Sequence, residues 1–152
     1  MKIRIELSDG AEEEIVIRCK EETDRIRLIK SVIDNITKGN SELALSIGNT
    51  EYYVPKDEIL FFETYDGKVY AHSRERMFQT EYRLFELEKI MPFYFVRISK
   101  SVIANIKCIS SLKRELTGNG QITFRDSDKT AYFSRAYYKL LKDQIEEVRF
   151  SK

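Results

Sequence analysis

The chain has very little histidine and cysteine. Among its 152 residues there is one histidine, His72, and there are two cysteines, Cys19 and Cys108, with no CxxC spacing. Zinc sites and nucleophilic active sites usually need several such side chains within reach of one another. The scarcity excludes most metal and catalytic arrangements. We interpret the two cysteines as buried, reduced thiols of a cytoplasmic protein.

Several sequence signals are also missing. No apolar run approaches the roughly 20 residues that span a bilayer. The first six residues lack the apolar core of a secretion signal, and the chain contains no G-x-x-x-x-G-K-[ST] phosphate loop. We therefore expect no enzymatic activity, no cofactor and no small-molecule substrate. The length fits one domain, or one domain with a small appendage.

Charge is nearly balanced in total but unevenly distributed. The formal net charge is +1. Residues 97–142 carry ten Lys and Arg against three acidic residues, whereas residues 51–66 carry five acidic residues and one Lys. A chain with a modest total charge can therefore still present a basic face, and the position of the charges matters more than their sum.

Residues 1–40 are predicted to form a small ββα extension. Strict alternation predicts a strand at 2–7, and the Ser8-Asp9-Gly10 turn signal predicts that residues 14–18 form the return strand. Thr23 is then a candidate N-cap for a helix. A unit of this size cannot bury a core alone, so it should pack on the rest of the chain or on another copy. We place the boundary at Gly39-Asn40-Ser41, with the main domain at 41–152.

Beyond that boundary the pattern favours strands. Apolar alternation and turn signals such as Asp66-Gly67 predict successive hairpins. A short helix is predicted from Leu84 to Met91, where Pro92 stops it. Ser134 is a candidate N-cap for a final helix at 135–148. Arg135, Lys139 and Lys142 share one side of that helix, which is either a phosphate-facing surface or a solvated helix face.

Two basic segments are candidate anion contacts. Between two apolar segments at 93–105, a polar break brings together Arg97, Ser99, Lys100 and Ser101, whose donors suit phosphate oxygens and base edges. A solvated turn without function is the alternative reading. His72 ends a predicted strand beside Ser73 and Arg74, where it could contact phosphate or a base. The alternative is an ordinary surface histidine.

The ordered set of these segments from Leu43 to about Ile145 resembles the LytTR DNA-binding domain of bacterial transcription regulators. The matching pieces are Glu58-Ile59-Leu60-Phe61-Phe62-Glu63, Ala71-His72, Leu84-Phe85-Glu86-Leu87-Glu88, Phe95 to Asn105, and Phe133 to Tyr138. The resemblance implies a mostly β fold with short helices (α+β). Its elongated antiparallel β-sheets would follow the N-terminal ββα extension and end in a C-terminal helix.

The resemblance also implies which residues contact DNA. In this family loops, not a recognition helix, read the duplex. The positions that match here are His72, Ser73, Arg74, Arg97, Ser99, Lys100, Ser101, Arg135, Tyr138 and Lys139. The chain departs from the commoner pattern at Ser99, where histidine often stands, and at Lys100, where arginine is usual. Because Lys cannot make the planar two-point contact of Arg with guanine, sequence readout there should be weaker or different.

The implied partners are double-stranded DNA and a second copy of the chain on DNA. The chain looks like the stand-alone subgroup without a receiver domain, for which the resemblance implies an inhibitory membrane protein encoded nearby. The rival interpretation is a β-rich adaptor that does not bind DNA and whose basic face meets an acidic or membrane-bound partner. Its supporting feature is the near-neutral total charge.

Overall fold

The computed structural model describes residues 4–10, 14–37 and 41–150. These residues form ten strands and three α-helices, with the helices at α1 (Asp24–Thr37), α2 (Leu84–Ile90) and α3 (Tyr138–Arg149). The strands are β1 (Glu42–Ile47), β2 (Thr50–Pro55), β3 (Phe61–Tyr65), β4 (Lys68–His72), β5 (Met77–Thr80), β6 (Phe95–Ser99), β7 (Val102–Asn105), β8 (Ile109–Arg114), β9 (Gly120–Phe124) and β10 (Thr130–Phe133). The predicted mostly β architecture with a C-terminal helix is confirmed.

The strands form two antiparallel sheets. One has seven strands in the order β2-β1-β5-β4-β3-β7-β6, and the other has three in the order β10-β9-β8. The β3–β4 hairpin shows how local sequence sets the register. Asp66 and Gly67 have φ values of 50° and 74°, which is the two-residue turn with two positive φ angles that Asp-Gly favours. It pairs Tyr65 with Lys68 and, four pairs further on, Phe61 with His72.

The core lies on the inner faces of these sheets and beneath α3. Its fully buried side chains include Phe62, Ile98, Ile103 and Ile122 from the strands, with Leu141 from α3. Burial of each such side chain contributes roughly 1.5–3 kcal/mol. The backbone links the two sheets directly as well, because the Ser134 amide donates to the Ile98 carbonyl at 3.0 Å. β10 therefore leads straight from the small sheet to the edge of the large one.

The amino-terminal region differs from the prediction. The helix forms as α1, and the Ile26 amide donates to the Thr23 hydroxyl at 3.3 Å, which agrees with the predicted cap. The two strands do not form over the described residues 4–10 and 14–18, and an isolated two-stranded hairpin is only marginally stable in water. Predicted positions 2 and 3 lie outside the described residues. Cys19 is exposed, so the prediction that it is buried was wrong, whereas Cys108 is buried.

The start of the last helix also differs. Ser134 makes no side-chain cap, and a short 3₁₀ turn at Arg135–Tyr137 precedes α3. The Arg135 amide instead donates to Asn119 Oδ1 at 2.8 Å, so a side chain from the β8–β9 turn satisfies this helix end. Leu140 is 46% exposed, whereas its neighbour Leu141 is fully buried. Of the helices in the described residues, none has the length and apolar content needed to cross a membrane.

Asn105 joins the end of β7 to the loop before β3. Only 1% of the residue is exposed. Its Nδ2 donates to the Ile59 carbonyl at 3.0 Å, and its Oδ1 accepts from the Lys107 amide at 3.1 Å. Its own amide donates to the Leu60 carbonyl at 2.8 Å. The side chain therefore satisfies two backbone groups, of which the Ile59 carbonyl lies in the buried interior.

Replacing Asn105 with alanine should destabilise the fold by about 2 kcal/mol, because the partners of two side-chain hydrogen bonds are left unsatisfied, one of them in the interior. Urea unfolding followed by circular dichroism measures the change. Asn49→Ala, in the exposed β1–β2 turn, is the matched control and should cost less than about 0.5 kcal/mol. Equal losses in the two variants would contradict the role assigned to Asn105.

Candidate nucleic-acid interface

Arg97 holds the β6–β7 turn from beneath. Its Nε donates to the Ser99 carbonyl at 2.8 Å, and one terminal nitrogen donates to the Lys100 carbonyl at 2.9 Å. The other terminal nitrogen pairs with the Glu88 carboxylate of α2. The planar fork of arginine makes such a three-way contact possible, and the Arg97 side chain is only 22% exposed. Its donors are directed at the protein itself.

The turn presents a different set of side chains to solvent. Lys100 and Ser101 are exposed, and Ser99 is half-buried. The Ser101 amide donates to the Ser99 hydroxyl at 3.2 Å, which fixes the backbone between them. Arg97 binds the Ser99 and Lys100 carbonyls, and the Ser99 hydroxyl accepts from the Ser101 amide. The exposed Lys100 ammonium is therefore the charge that the turn presents to solvent.

The start of the last helix lies beside this turn. The bond from Ser134 to Ile98 brings Arg135 next to Ser99 in space, and Asn119 of the β8–β9 turn holds the Arg135 amide. Gly118 makes the close approach possible, since a Cβ there would lie 2.8 Å from Arg135 Cγ. The 97–101 and 134–139 segments therefore lie next to each other.

The side chains of this helix end divide into two groups. Arg135 and Lys139 are exposed and available to a ligand. Tyr138 is half-buried, since the Arg114 guanidinium lies 4.1 Å from its ring centre and Phe133 packs at 5.6 Å. Lys142 lies 4.0 Å from Glu146, one turn further along α3. The exposed positive charge of this helix is therefore concentrated at its start, at Arg135 and Lys139.

Sequence reasoning did not include a third loop that reaches the same end of the sheet. The Thr64 amide donates to the Ser101 carbonyl at 2.8 Å, which places the β3–β4 turn beside the β6–β7 turn. Asp66, Gly67 and Lys68 of that turn are exposed. The Asp-Gly signal located the turn correctly, but nothing local revealed that β3 pairs with β7, so Lys68 was not recognised as a candidate.

His72 lies at the other end of β4. In the register of the sheet it stands opposite Phe61, whereas the β6–β7 turn lies beyond Glu63. The residue is 8% exposed, and its ring stacks on Phe61 at 4.2 Å. Nε2 is 2.8 Å from Glu63 Oε1, and Nδ1 is 3.4 Å from Lys129 Nζ. With both ring nitrogens facing partners, these surroundings favour a structural role over insertion into a groove.

Ser73 and Arg74 join the large sheet to the β9–β10 loop. Arg74 Nε donates to the Arg125 carbonyl at 3.3 Å, and the Ser127 hydroxyl donates to the Arg74 carbonyl at 3.4 Å. The Ser73 hydroxyl caps the Arg76 amide at 3.1 Å. Arg74 is nevertheless exposed, while Ser73 is half-buried. The 72–74 segment therefore lies at the opposite end of β4 from the β3–β4 and β6–β7 turns.

Comparison with known proteins identifies the chain's family. The model of the LytTr DNA-binding domain matches residues 49–146, which include every loop described above. The chain belongs to the LytTR family. This is a family of DNA-binding domains and not a class of enzymes.

Relatives and solved structures agree with this LytTR assignment. A protein of Staphylococcus aureus strain bovine RF122 / ET3-1, named an HTH-type transcriptional regulator, is 29% identical over 95% of this chain and 98% of its own length. A relative in strain NCTC 8325 / PS 47, with the same kind of name, is 27% identical over the same shares. The LytTr DNA-binding domain of a methyl-accepting/DNA response regulator from Bacillus cereus superposes with a TM-score of 0.64 at 21% identity, over 69% of this chain and 96% of that one. That likeness shows the fold.

Arg97→Lys should destabilise the LytTR domain by about 1–3 kcal/mol, because an ammonium cannot serve two carbonyls and the Glu88 carboxylate in one plane. Thermal unfolding measures the loss. Lys100→Arg, on the exposed side of the same turn, is the matched control and should leave the unfolding temperature nearly unchanged. If Arg97→Lys unfolds at the wild-type temperature, the turn does not depend on the fork.

The free energy of unfolding should decrease as the pH falls below about 6.5. Burial lowers the pKa of His72, Glu63 opposes that shift, and Lys129 adds to it, so the folded state resists a proton that the unfolded chain accepts. The stability that neutral His72 contributes is fully present above its pKa in the unfolded chain, and it is lost as the pH falls through its lower pKa in the folded protein. Since His72 is the only histidine, His72→Gln should remove this dependence. If the free energy of unfolding of His72→Gln falls as steeply as that of the wild type between about pH 7.5 and 5.5, His72 is not the source of the pH dependence.

Proposed function

We propose that the chain binds duplex DNA through one surface built from three loops, here called the turn surface: the β3–β4 turn at 65–68, the β6–β7 turn at 99–101 and the helix start at 134–139. The observation that carries this proposal is a pair of backbone hydrogen bonds, from Thr64 to Ser101 and from Ser134 to Ile98. They hold the three loops together, with exposed Lys68, Lys100 and Arg135 on them. Fixed cations on rigid supports suit the phosphate backbone and the groove edges.

The residues of the turn surface take different roles. Lys100 is exposed in the β6–β7 turn and is assigned a groove or phosphate contact, with Ser99 and Ser101 beside it. Arg135 carries the one exposed guanidinium among the three loops and can make the two-point contact with guanine that lysine cannot. Lys139 and Lys68 are assigned to phosphates on either side of these contacts. The Tyr138 ring packs on Arg114 and Phe133, and its contact with DNA stays a prediction. Arg97 is a positioning residue, because its donors already bind the turn.

The 72–74 segment is a separate predicted contact. The segment lies at the other end of β4 from the turn surface, so it would contact the duplex to one side of the contacts made by the turn surface. Arg74 is the exposed member and the one able to bind phosphate there. His72 supports this segment by holding the end of β4 to Glu63 and Lys129. Contact by His72, Ser73 and Arg74 with DNA stays a prediction.

Regulation of transcription is the proposed purpose of DNA binding. The support is the family match together with relatives that are named transcriptional regulators. We further propose that the chain works in the cytoplasm as a homodimer on repeated half-sites, as DNA regulators commonly do. An inhibitory membrane protein as its controlling partner rests on the family resemblance alone.

Fluorescence anisotropy over a salt series tests the function itself. With DNA from upstream of the chain's own gene, we expect saturable binding whose affinity falls steeply as salt rises, because each neutralised phosphate releases counterions. The adaptor alternative, which the net charge of +1 favours, predicts no saturable binding even at low salt. The two outcomes separate a DNA regulator from a protein-interaction module.

Lys100→Ala should weaken specific binding by about 1–3 kcal/mol if the ammonium reads a base, and Arg135→Ala should weaken it by about 1–3 kcal/mol because the guanidinium is assigned the two-point contact with guanine. A gel-shift titration at two salt concentrations measures both. Lys20→Ala is the matched control, since Lys20 is exposed and lies outside the family match. Wild-type affinity for Lys100→Ala would remove that residue from the turn surface.

A further inference from the structure

The amino-terminal segments 4–7 and 14–18 expose large apolar side chains. Ile5 is 82% exposed, Leu7 95%, Ile15 63% and Val16 58%. No other part of the described chain shows so many exposed aliphatic side chains within a few residues. Single exposed aliphatic residues are ordinary, but a cluster of this kind marks a surface that is covered in the working protein.

The sequence of segment 4–7 carries the pattern of a half-buried strand. Ile5 and Leu7 alternate with Arg4 and Glu6, and Arg4 and Glu6 form an ion pair at 2.6 Å on the opposite side. An alternating segment of this kind is stable only when a neighbouring strand and a covering layer bury its apolar side. Two strands from one chain do not provide this, since an isolated hairpin is marginal in water and three or more strands are needed. The missing strands must come from elsewhere.

The charges of segment 4–7 fit a second copy of itself. In an antiparallel pair related by a two-fold axis at Ile5, Arg4 of one copy stands directly opposite Glu6 of the other, and each Glu6 faces an Arg4 in return. Ile5 then meets Ile5 on the other side of the ribbon. Opposite charges directly across a strand pair stabilise it, whereas like charges destabilise it. A two-fold contact requires this kind of self-complementary surface.

Segment 14–18 is apolar at its centre and charged at its two ends, since its sequence is Glu-Ile-Val-Ile-Arg. A 14–18 segment that flanks segment 4–7 of its own chain lies at the edge of the sheet, so the two 14–18 copies do not pair with each other. Its role in the interface is to add a strand, whereas the charge complementarity lies in segment 4–7. The turn at Ser8–Gly10, with φ of 78° at Gly10, lies between the two segments.

We propose that segments 4–7 of two copies pair antiparallel about a two-fold axis at Ile5, and that segments 14–18 flank them to form a four-stranded sheet between protomers. This interface lies outside the turn surface and forms without DNA. It supplies the additional strands that the single chain lacks. The inference goes beyond the proposed DNA contacts and stands or falls independently of them.

Charge reversal in the full chain tests the pairing. Sedimentation velocity of the wild type should show a concentration-dependent dimer without DNA. Arg4→Glu places two carboxylates opposite each other, and Glu6→Arg places two guanidinium groups opposite each other, so each variant alone should raise the dimer dissociation constant roughly tenfold or more. An equimolar mixture of the two variants restores opposite charges at every position and should recover the dimer. A mixture that stays monomeric, or a wild type that is monomeric at every concentration, would overturn the proposal.

Ile5→Asp tests the apolar side, with Ile47→Asp as the matched control at an exposed isoleucine of β1. Ile5→Asp should abolish the dimer while leaving the unfolding temperature of the domain and the affinity for a single half-site within about twofold of wild type, since segment 4–7 lies outside the domain core. Ile47→Asp should dimerise normally. If Ile5→Asp instead lowers the unfolding temperature and leaves the dimer intact, segment 4–7 packs on its own chain and the inference is wrong. Loss of half-site binding in the wild type would refute the proposed function and leave this result untouched.

Discussion

The proposed DNA surface depends on where the donors of the Arg97 guanidinium are directed. A two-strand turn that points a lysine at a polyanion must keep its own carbonyl oxygens away from the phosphates. Arg97 does this by binding the Ser99 and Lys100 carbonyls from beneath, and Glu88 of α2 holds the third side of the fork. Because Arg97 fixes the backbone that carries Lys100, less conformational freedom is lost when a ligand binds to this turn. The short helix α2 is held chiefly by its buried Leu84 and Leu87, and Glu88 places a carboxylate within reach of the fork.

Local sequence determined those elements whose ends are set by turn chemistry. Asp66-Gly67 supplies the two positive φ angles of the β3–β4 hairpin, and Thr23 supplies an oxygen for the first turn of α1, so both were predictable. The start of the last helix was not, because Asn119, sixteen residues earlier, accepts from the Arg135 amide and so takes over part of the role expected of Ser134. Segment 4–7 also misled the prediction, since a strand pattern reports a preference and only a neighbouring strand can satisfy it.

The candidate site was predictable only in part, for a reason that lies in the sheet order. Sequence patterns give strands but not their neighbours. The pairing of β3 with β7 places Thr64 beside Ser101, with Lys68 one strand further away on β4, and this pairing joins positions about forty residues apart. His72 lies at the end of β4 away from the β3–β4 turn. There its ring stacks on Phe61, and its Nε2 faces the Glu63 carboxylate. A strand-end histidine beside an arginine looks the same in sequence whether it is free or buried.

The order of helices bears on how the chain can read DNA. Relatives are named HTH-type regulators, yet α2 and α3 are separated here by the five strands β6 to β10, and α1 and α2 by β1 to β5. A helix-turn-helix joins its two helices through a turn of about three or four residues, so no pair of helices in the described residues can form one. The base contacts that we propose therefore belong to single side chains on turns. Because Lys100 is a point charge, the proposal assigns the two-point contact with guanine to Arg135, whose amide donates to Asn119 and whose side chain lies against Gly118.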